Sequence, residues 1–222
     1  MSVASDVQNF IDAVLERAGG ADIVINNVGI NRSQHSVSVD DAEFAYTQQV
    51  NLYGVIRLAR GFLPQMMARR GGSFVHISSV HARVAFPANT AYSSSKSAIN
   101  GFSIALAAEY AAYGIRSNVI CPGGIYTRDS EAKFAQIIHD DEKLLEKARR
   151  GELGQPDYGV GSPYDIAHSA LFLSSDMARR TTGAVVMVDG GTVVQSHPFA
   201  TRNIPPREDS DRLWLEVMRT RF

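Results

Sequence analysis

At 222 residues, with 45% hydrophobic and 20% charged side chains, the chain is long enough for one large core and has an ordinary globular composition. A formal charge of −1 with interspersed acids and bases excludes the basic face that nucleic acid or an anionic membrane needs, and no apolar run approaches the ~18 residues of a membrane span. The single cysteine, Cys121, cannot form an internal disulfide, and the polar first residues show no secretory leader, so a cytoplasmic location is expected.

In chain order, Val7, Phe10, Ile11, Val14 and Leu15 recur at helical spacing ahead of Gly19-Gly20, which predicts a first helix with a glycine C-cap. The β-branched run Ile23-Val24-Ile25, ending in Asn26-Asn27-Val28-Gly29, predicts a buried strand feeding a loop. A long helical pattern runs from about Asp41 to Met67, with a kink or break expected at Pro64, and Ser73 to Ile77 follows as a strand. From Ala91 to about Tyr113 the stripe Ile99, Phe102, Leu106 and Tyr110 predicts a third helix rich in small residues. Strands are expected over Ile115 to Cys121 and Ala184 to Val188. Between them, Ser162-Pro163-Tyr164-Asp165 reads as a capped helix start. Strands alternating with helices predict an α/β fold, a doubly wound parallel sheet with helices on both faces and ligands at the carboxyl ends of its strands.

The chemistry gathers at those strand ends. Tyr92 and Lys96 are four apart at the start of the third helix, hence one turn apart on one face. An ammonium beside a phenol favours phenolate and lowers its pKa, which makes the tyrosine a usable proton donor or acceptor. Tyr-x-x-x-Lys alone is a weak signal that a helix-surface pair also produces. Ser79, after the second strand and ahead of Tyr92, strengthens it. The histidines show no zinc-ligand spacing and read as packing or surface residues, His76 lying within a strand; no metal site is expected. Cys121, before a proline at a strand end, reads as a small core residue.

With Asn26-Asn27-Val28-Gly29, Asn51 in Val50-Asn51-Leu52, Ser78-Ser79-Val80, Tyr92-Ser93-Ser94-Ser95-Lys96, Cys121-Pro122-Gly123-Gly124-Ile125-Tyr126-Thr127 and Val188-Asp189-Gly190-Gly191 in this order, the sequence resembles the short-chain dehydrogenase/reductase family from residue 1 to about Val194. The resemblance implies a Rossmann-like domain over residues 1–194 and an oxidoreductase that interconverts a secondary alcohol and a carbonyl by hydride transfer with NAD or NADP. Its substrate would be a small molecule, 3-oxoacyl-thioester-like or sugar- or polyol-like. Asn51, Ser79, Tyr92 and Lys96 would be catalytic, Asn51 by holding a water in the proton relay. Asn26, Gly29, Tyr92, Lys96, Pro122, Gly123, Ile125 and Thr127 would contact the cofactor. A homodimer or homotetramer is implied, with residues 127–161 as a substrate lid carrying Phe134, Ile137, Ile138, Leu144 and Leu145.

The sequence departs from the family in three places. Nothing before Asn26 matches the family's glycine-rich pyrophosphate turn, so the chain is expected to lack the first βαβα portion of the fold and to bind nucleotide weakly. The alternative reading is therefore a catalytically impaired fragment that serves as an assembly or scaffold subunit. Gly159 stands where the family often has an arginine. Residues 195–222 form a C-terminal extension in which Leu213, Trp214, Val217 and Met218 suggest a short amphipathic helix.

Overall fold

Helix α1 (Ala4–Ala18) stops at Gly19, whose φ of 66° suits glycine, and the Gly19 N–H closes back on the Leu15 carbonyl at 2.9 Å. The computed structural model describes residues 1–84, 87–127, 141–150 and 160–194. After α1 come β1 (Ile23–Asn26), α2 (Asp41–Gln48), α3 (Gly54–Arg69), β2 (Gly72–Ile77), α4 (Thr90–Tyr110) and β3 (Ile115–Pro122). The short β4 (Gly124–Ile125), α5 (Glu142–Arg150), β5 (Val160–Gly161), α6 (Pro163–Ser174) and β6 (Val185–Val188) complete the order.

The strands β1, β2, β3 and β6 form a parallel sheet in that order, with Ile23 opposite Ser73, Gly72 opposite Ile115 and Val119 opposite Val185. Because side chains alternate along a strand, β2 sends Phe74 to one face and Val75 and Ile77 to the other. On the first face Phe74 joins Val7 and Ile11 of α1, Phe62 and Met66 of α3, and Leu106 of α4 in one core. On the second, Val75, Ile77 and Ile120 pack against Ala170 and Leu173 of α6. Helices therefore cover both faces, the expected α/β architecture. The start of α6 is a capping box in which the Asp165 carboxylate accepts from the Ser162 N–H at 2.7 Å and from its hydroxyl at 3.1 Å.

Two expectations need correction. Pro64 neither breaks nor ends its helix; it lies inside α3, and the interruption falls earlier, at a π-helical turn spanning Gln49–Tyr53. The extra residue of such a turn rotates Asn51 inward, where it is fully buried. The strand expected to be buried, β1, is buried only at alternate residues: among the described residues it pairs with β2 alone, and Ile23 and Ile25 stay half exposed beside an apolar groove that the 57% exposed Phe10 of α1 also borders. Of the expected lid, residues 128–140 and 151–159, Gly159 included, lie outside the described residues. The remaining helix α5 buries Leu145. The C-terminal extension also lies outside them. Among the described residues no helix is long and apolar enough to cross a membrane.

Candidate active site

The site is assembled where β2 ends against the first turns of α4. Past Ile77, the Ser78 N–H donates to the Ile120 carbonyl at 2.7 Å and the Ser78 hydroxyl to the Lys96 carbonyl at 2.9 Å, fastening the strand end to both β3 and α4. Ser79 continues extended and opens a single 3₁₀ turn, Val80–Ala82; its hydroxyl oxygen accepts the His81 N–H at 3.2 Å. The hydroxyl hydrogen of Ser79 remains available to a second oxygen, and the hydroxyl lies close enough to the Tyr92 phenol to favour its phenolate.

Tyr92 and Lys96 lie one helical turn apart. The Lys96 ammonium stands 5.6 Å from the centroid of the Tyr92 ring and donates to the Ile77 carbonyl at 2.8 Å. That bond uses one of three N–H donors on an almost fully buried ammonium. Burial lowers the Lys96 pKa to about 8, opposed by the charge of Cys121. Burial also dominates at Tyr92 and raises its pKa, with the Ser79 bond pulling down and Cys121 pushing up. Desolvation of the phenolate, rather than the neighbouring ammonium, thus sets the direction of the shift, opposite to the lowering expected from the spacing.

Asn51 reaches the same corner from the π turn. Its carbonyl oxygen accepts the Ile30 N–H at 2.8 Å, while its amide nitrogen donates to the Ile30 carbonyl at 2.9 Å and to the Ser95 hydroxyl at 3.0 Å. Ser95 in turn donates to the Tyr92 carbonyl at 2.7 Å. Asn51 therefore clamps the loop after β1 to the helix that carries Tyr92 and Lys96. A Cβ added to Gly29 would lie 3.1 Å from Lys96 Nζ and 3.6 Å from Asn51 Oδ1, so the loop passes both groups at backbone distance.

Gly29, Ser79, Tyr92, Lys96, Pro122, Gly123, Ile125 and Thr127 line one cavity of about 760 Å³ across the carboxyl ends of the strands, a volume within the range of cofactor pockets. Asn26, expected to face the cofactor, is turned into the sheet. Its amide nitrogen meets His76 Nδ1 at 2.9 Å, and Asn27 takes its place in the cavity lining. Gly123 is glycine for packing, since a Cβ there would come within 2.8 Å of the Asp189 Cα. The sequence reading missed Ser95 and His81. Ser95 bonds Asn51 across 44 residues of chain, a pairing without a spacing signal, and the His81 ring sits edge-on to Tyr92 with centroids 5.3 Å apart. Among the described residues no three potential metal ligands gather.

A family model described as enoyl-(acyl carrier protein) reductase matches residues 1–193. The chain belongs to the short-chain dehydrogenase/reductase family. Among its family relatives, Oxidoreductase UcpA of Salmonella typhimurium is 35% identical over 202 residues, 87% of this chain and 75% of that protein. The 3-oxoacyl-[acyl-carrier-protein] reductase FabG of Thermotoga maritima is 33% identical over 189 residues, 85% of this chain and 72% of that protein. The crystal structure of a gluconate 5-dehydrogenase from Burkholderia cenocepacia, in complex with NADP and tartrate, superposes with a TM-score of 0.74 at 27% identity, covering 87% of this chain and 73% of that one. The chain is thus an oxidoreductase of the family whose members act with nicotinamide nucleotides.

Proposed function

We propose that the protein interconverts a secondary alcohol and a ketone with Tyr92 as the proton donor or acceptor. The observation that carries this reading is the convergence of Tyr92, Ser79 and Lys96 on one cavity of nucleotide size. The residues fit a nicotinamide nucleotide: the Lys96 ammonium has donors left for ribose hydroxyls, Gly29 permits close approach, and Ile125 and Thr127 border the same space. When bound, the nicotinamide supplies or accepts the hydride. The residues of this chain handle the oxygen. In the reductive direction the Tyr92 hydroxyl passes its proton to the substrate oxygen as negative charge develops there, and the Ser79 hydroxyl donates a hydrogen bond to that same oxygen. Lys96, charged at neutral pH, favours the phenolate left behind. Asn51 holds the loop and helix in register.

Names among the relatives frame the substrate test. Purified protein is offered NADH and NADPH with an acetoacetyl thioester, and NAD and NADP with gluconate and a hexose, while nucleotide absorbance is followed. Turnover with one of these classes is the expected result; a folded protein inert toward all of them would overturn the reading. Gly29→Ala is expected to push the ammonium off the Ile77 carbonyl and to lower turnover by ~10-fold or more, as small misplacements in assembled sites do. Steady-state rates compared at matched thermal stability check it.

We further read the exposed face of α4 as a pairing surface. Gly101, Ala105 and Ala108 are exposed there beside Ile104, which is half exposed, and a Cβ at Gly101 would meet nothing within 4 Å, leaving space for another helix to approach closely. A dimer or tetramer is expected by light scattering at micromolar concentration, and Ile104→Glu should shift it toward monomer. A parent that is purely monomeric would contradict this.

A further inference from the structure

We propose that His81 is the positioning residue of this site, holding Ser79 through its backbone and Tyr92 through its ring. Both contacts come from one residue in one 3₁₀ turn. The His81 N–H occupies a lone pair of the Ser79 hydroxyl at 3.2 Å, which directs the hydroxyl hydrogen away from the turn. The imidazole meets the Tyr92 ring at an interplanar angle of 82° with centroids 5.3 Å apart, an edge-to-face contact that restricts where the phenol oxygen can lie. The turn is itself anchored, because the Ser97 hydroxyl of α4 donates to the Ala82 carbonyl at 3.3 Å. This inference deepens the reading of Tyr92 as proton donor and rests on it.

The ring also gives the site a charge that depends on pH. The turn packs on α4 and β3, which carry the titratable groups Tyr92, Lys96 and Cys121; of these Tyr92 meets the imidazole directly, and Arg83, next on the turn, is exposed. Lys96 titrates at about 8, and burial raises both Tyr92 and Cys121. Burial lowers His81, so its imidazole is neutral at neutral pH and gains its proton on the acid side. An imidazolium beside the phenol favours phenolate and makes Tyr92 a stronger acid. Carbonyl reduction, which needs the acid, gains from that charge as pH falls; alcohol oxidation, which needs the phenolate at high pH, does not.

The test uses full-length protein carrying tyrosine labelled with ¹³C at Cζ, with the Tyr92 resonance assigned by its loss in Tyr92→Phe. The wild type is expected to show an inflection at Tyr92 on the acid side of neutrality, and His81→Phe, which keeps the ring brace, to lose it. In the reduction of an acetoacetyl thioester, His81→Ala should lower kcat ~10-fold with KM little changed, whereas His81→Phe stays within ~3-fold of wild type at neutral pH, as expected when geometry rather than binding is lost. An inflection that persists in His81→Phe, or a His81→Ala enzyme with unchanged kcat, overturns the proposal. If Tyr92→Phe itself keeps full turnover, the underlying reading of the site has failed instead.

Discussion

Tyr92→Phe is expected to lower turnover at least ~10²-fold, the low end of what a positioned acid–base group contributes. The substitution removes one oxygen and nothing else. The ring keeps its edge-on contact with His81 and its place in the first turn of α4, whose backbone is held independently by the Ser95 hydroxyl on the Tyr92 carbonyl. Nucleotide affinity should change little, because the ammonium of Lys96 is anchored on Ile77 rather than on the phenol. The loss should therefore appear in kcat more than in KM, the pattern of an interaction made only in the transition state. Rates within threefold of the parent would sink the role given to Tyr92.

Much of the fold and the central groups of the site were legible in the sequence for a physical reason. Parallel strands write themselves as short β-branched runs, and the runs Ile23 to Ile25 and Ile115 to Cys121 each end within a residue of the observed strand, although only β3 is buried along its length. Tyr92 and Lys96 share a face because helical periodicity puts them there. What spacing does not encode is contact between distant segments. Asn51 could be read as a mid-helix asparagine, yet its role in joining Ile30 to Ser95 depends on a π turn that has no signature in local hydrophobic pattern. Pro64 misled for the converse reason, since a proline removes one donor from a helix but tertiary packing around Leu63 and Met66 holds the helix through it. The direction of the Tyr92 shift is not legible in a four-residue spacing, because desolvation is a property of the folded surroundings.

Acid should destabilise the protein through His76, well before most carboxylates are neutralised. This imidazole is fully buried in β2, stacked on Phe74 and edge-on to Phe102, with Asn26 Nδ2 at 2.9 Å on one ring nitrogen and the Ser117 hydroxyl at 3.2 Å on the other. Ser117 passes the chain of bonds on to Ser103 at 2.8 Å. A neutral ring satisfies this arrangement, accepting from the Asn26 amide and donating to Ser117. A second proton would face the amide N–H and place a charge among apolar neighbours. Burial accordingly lowers the His76 pKa from 6.5 to about 4. The folded pKa lies below the unfolded one, so between these values the unfolded chain binds more protons and stability falls as pH falls. The stability is intact above pH 6.5 and is lost progressively toward pH 4. A shift of this size corresponds to about 3 kcal/mol across the window. His81 contributes in the same direction, with a less buried ring. Urea unfolding at a series of pH values should show this slope in the parent. His76→Gln keeps a donor and an acceptor but cannot titrate, so it should be less stable at neutral pH and lose less on acidification. An equal slope in the two proteins would mean that some other group governs the acid response.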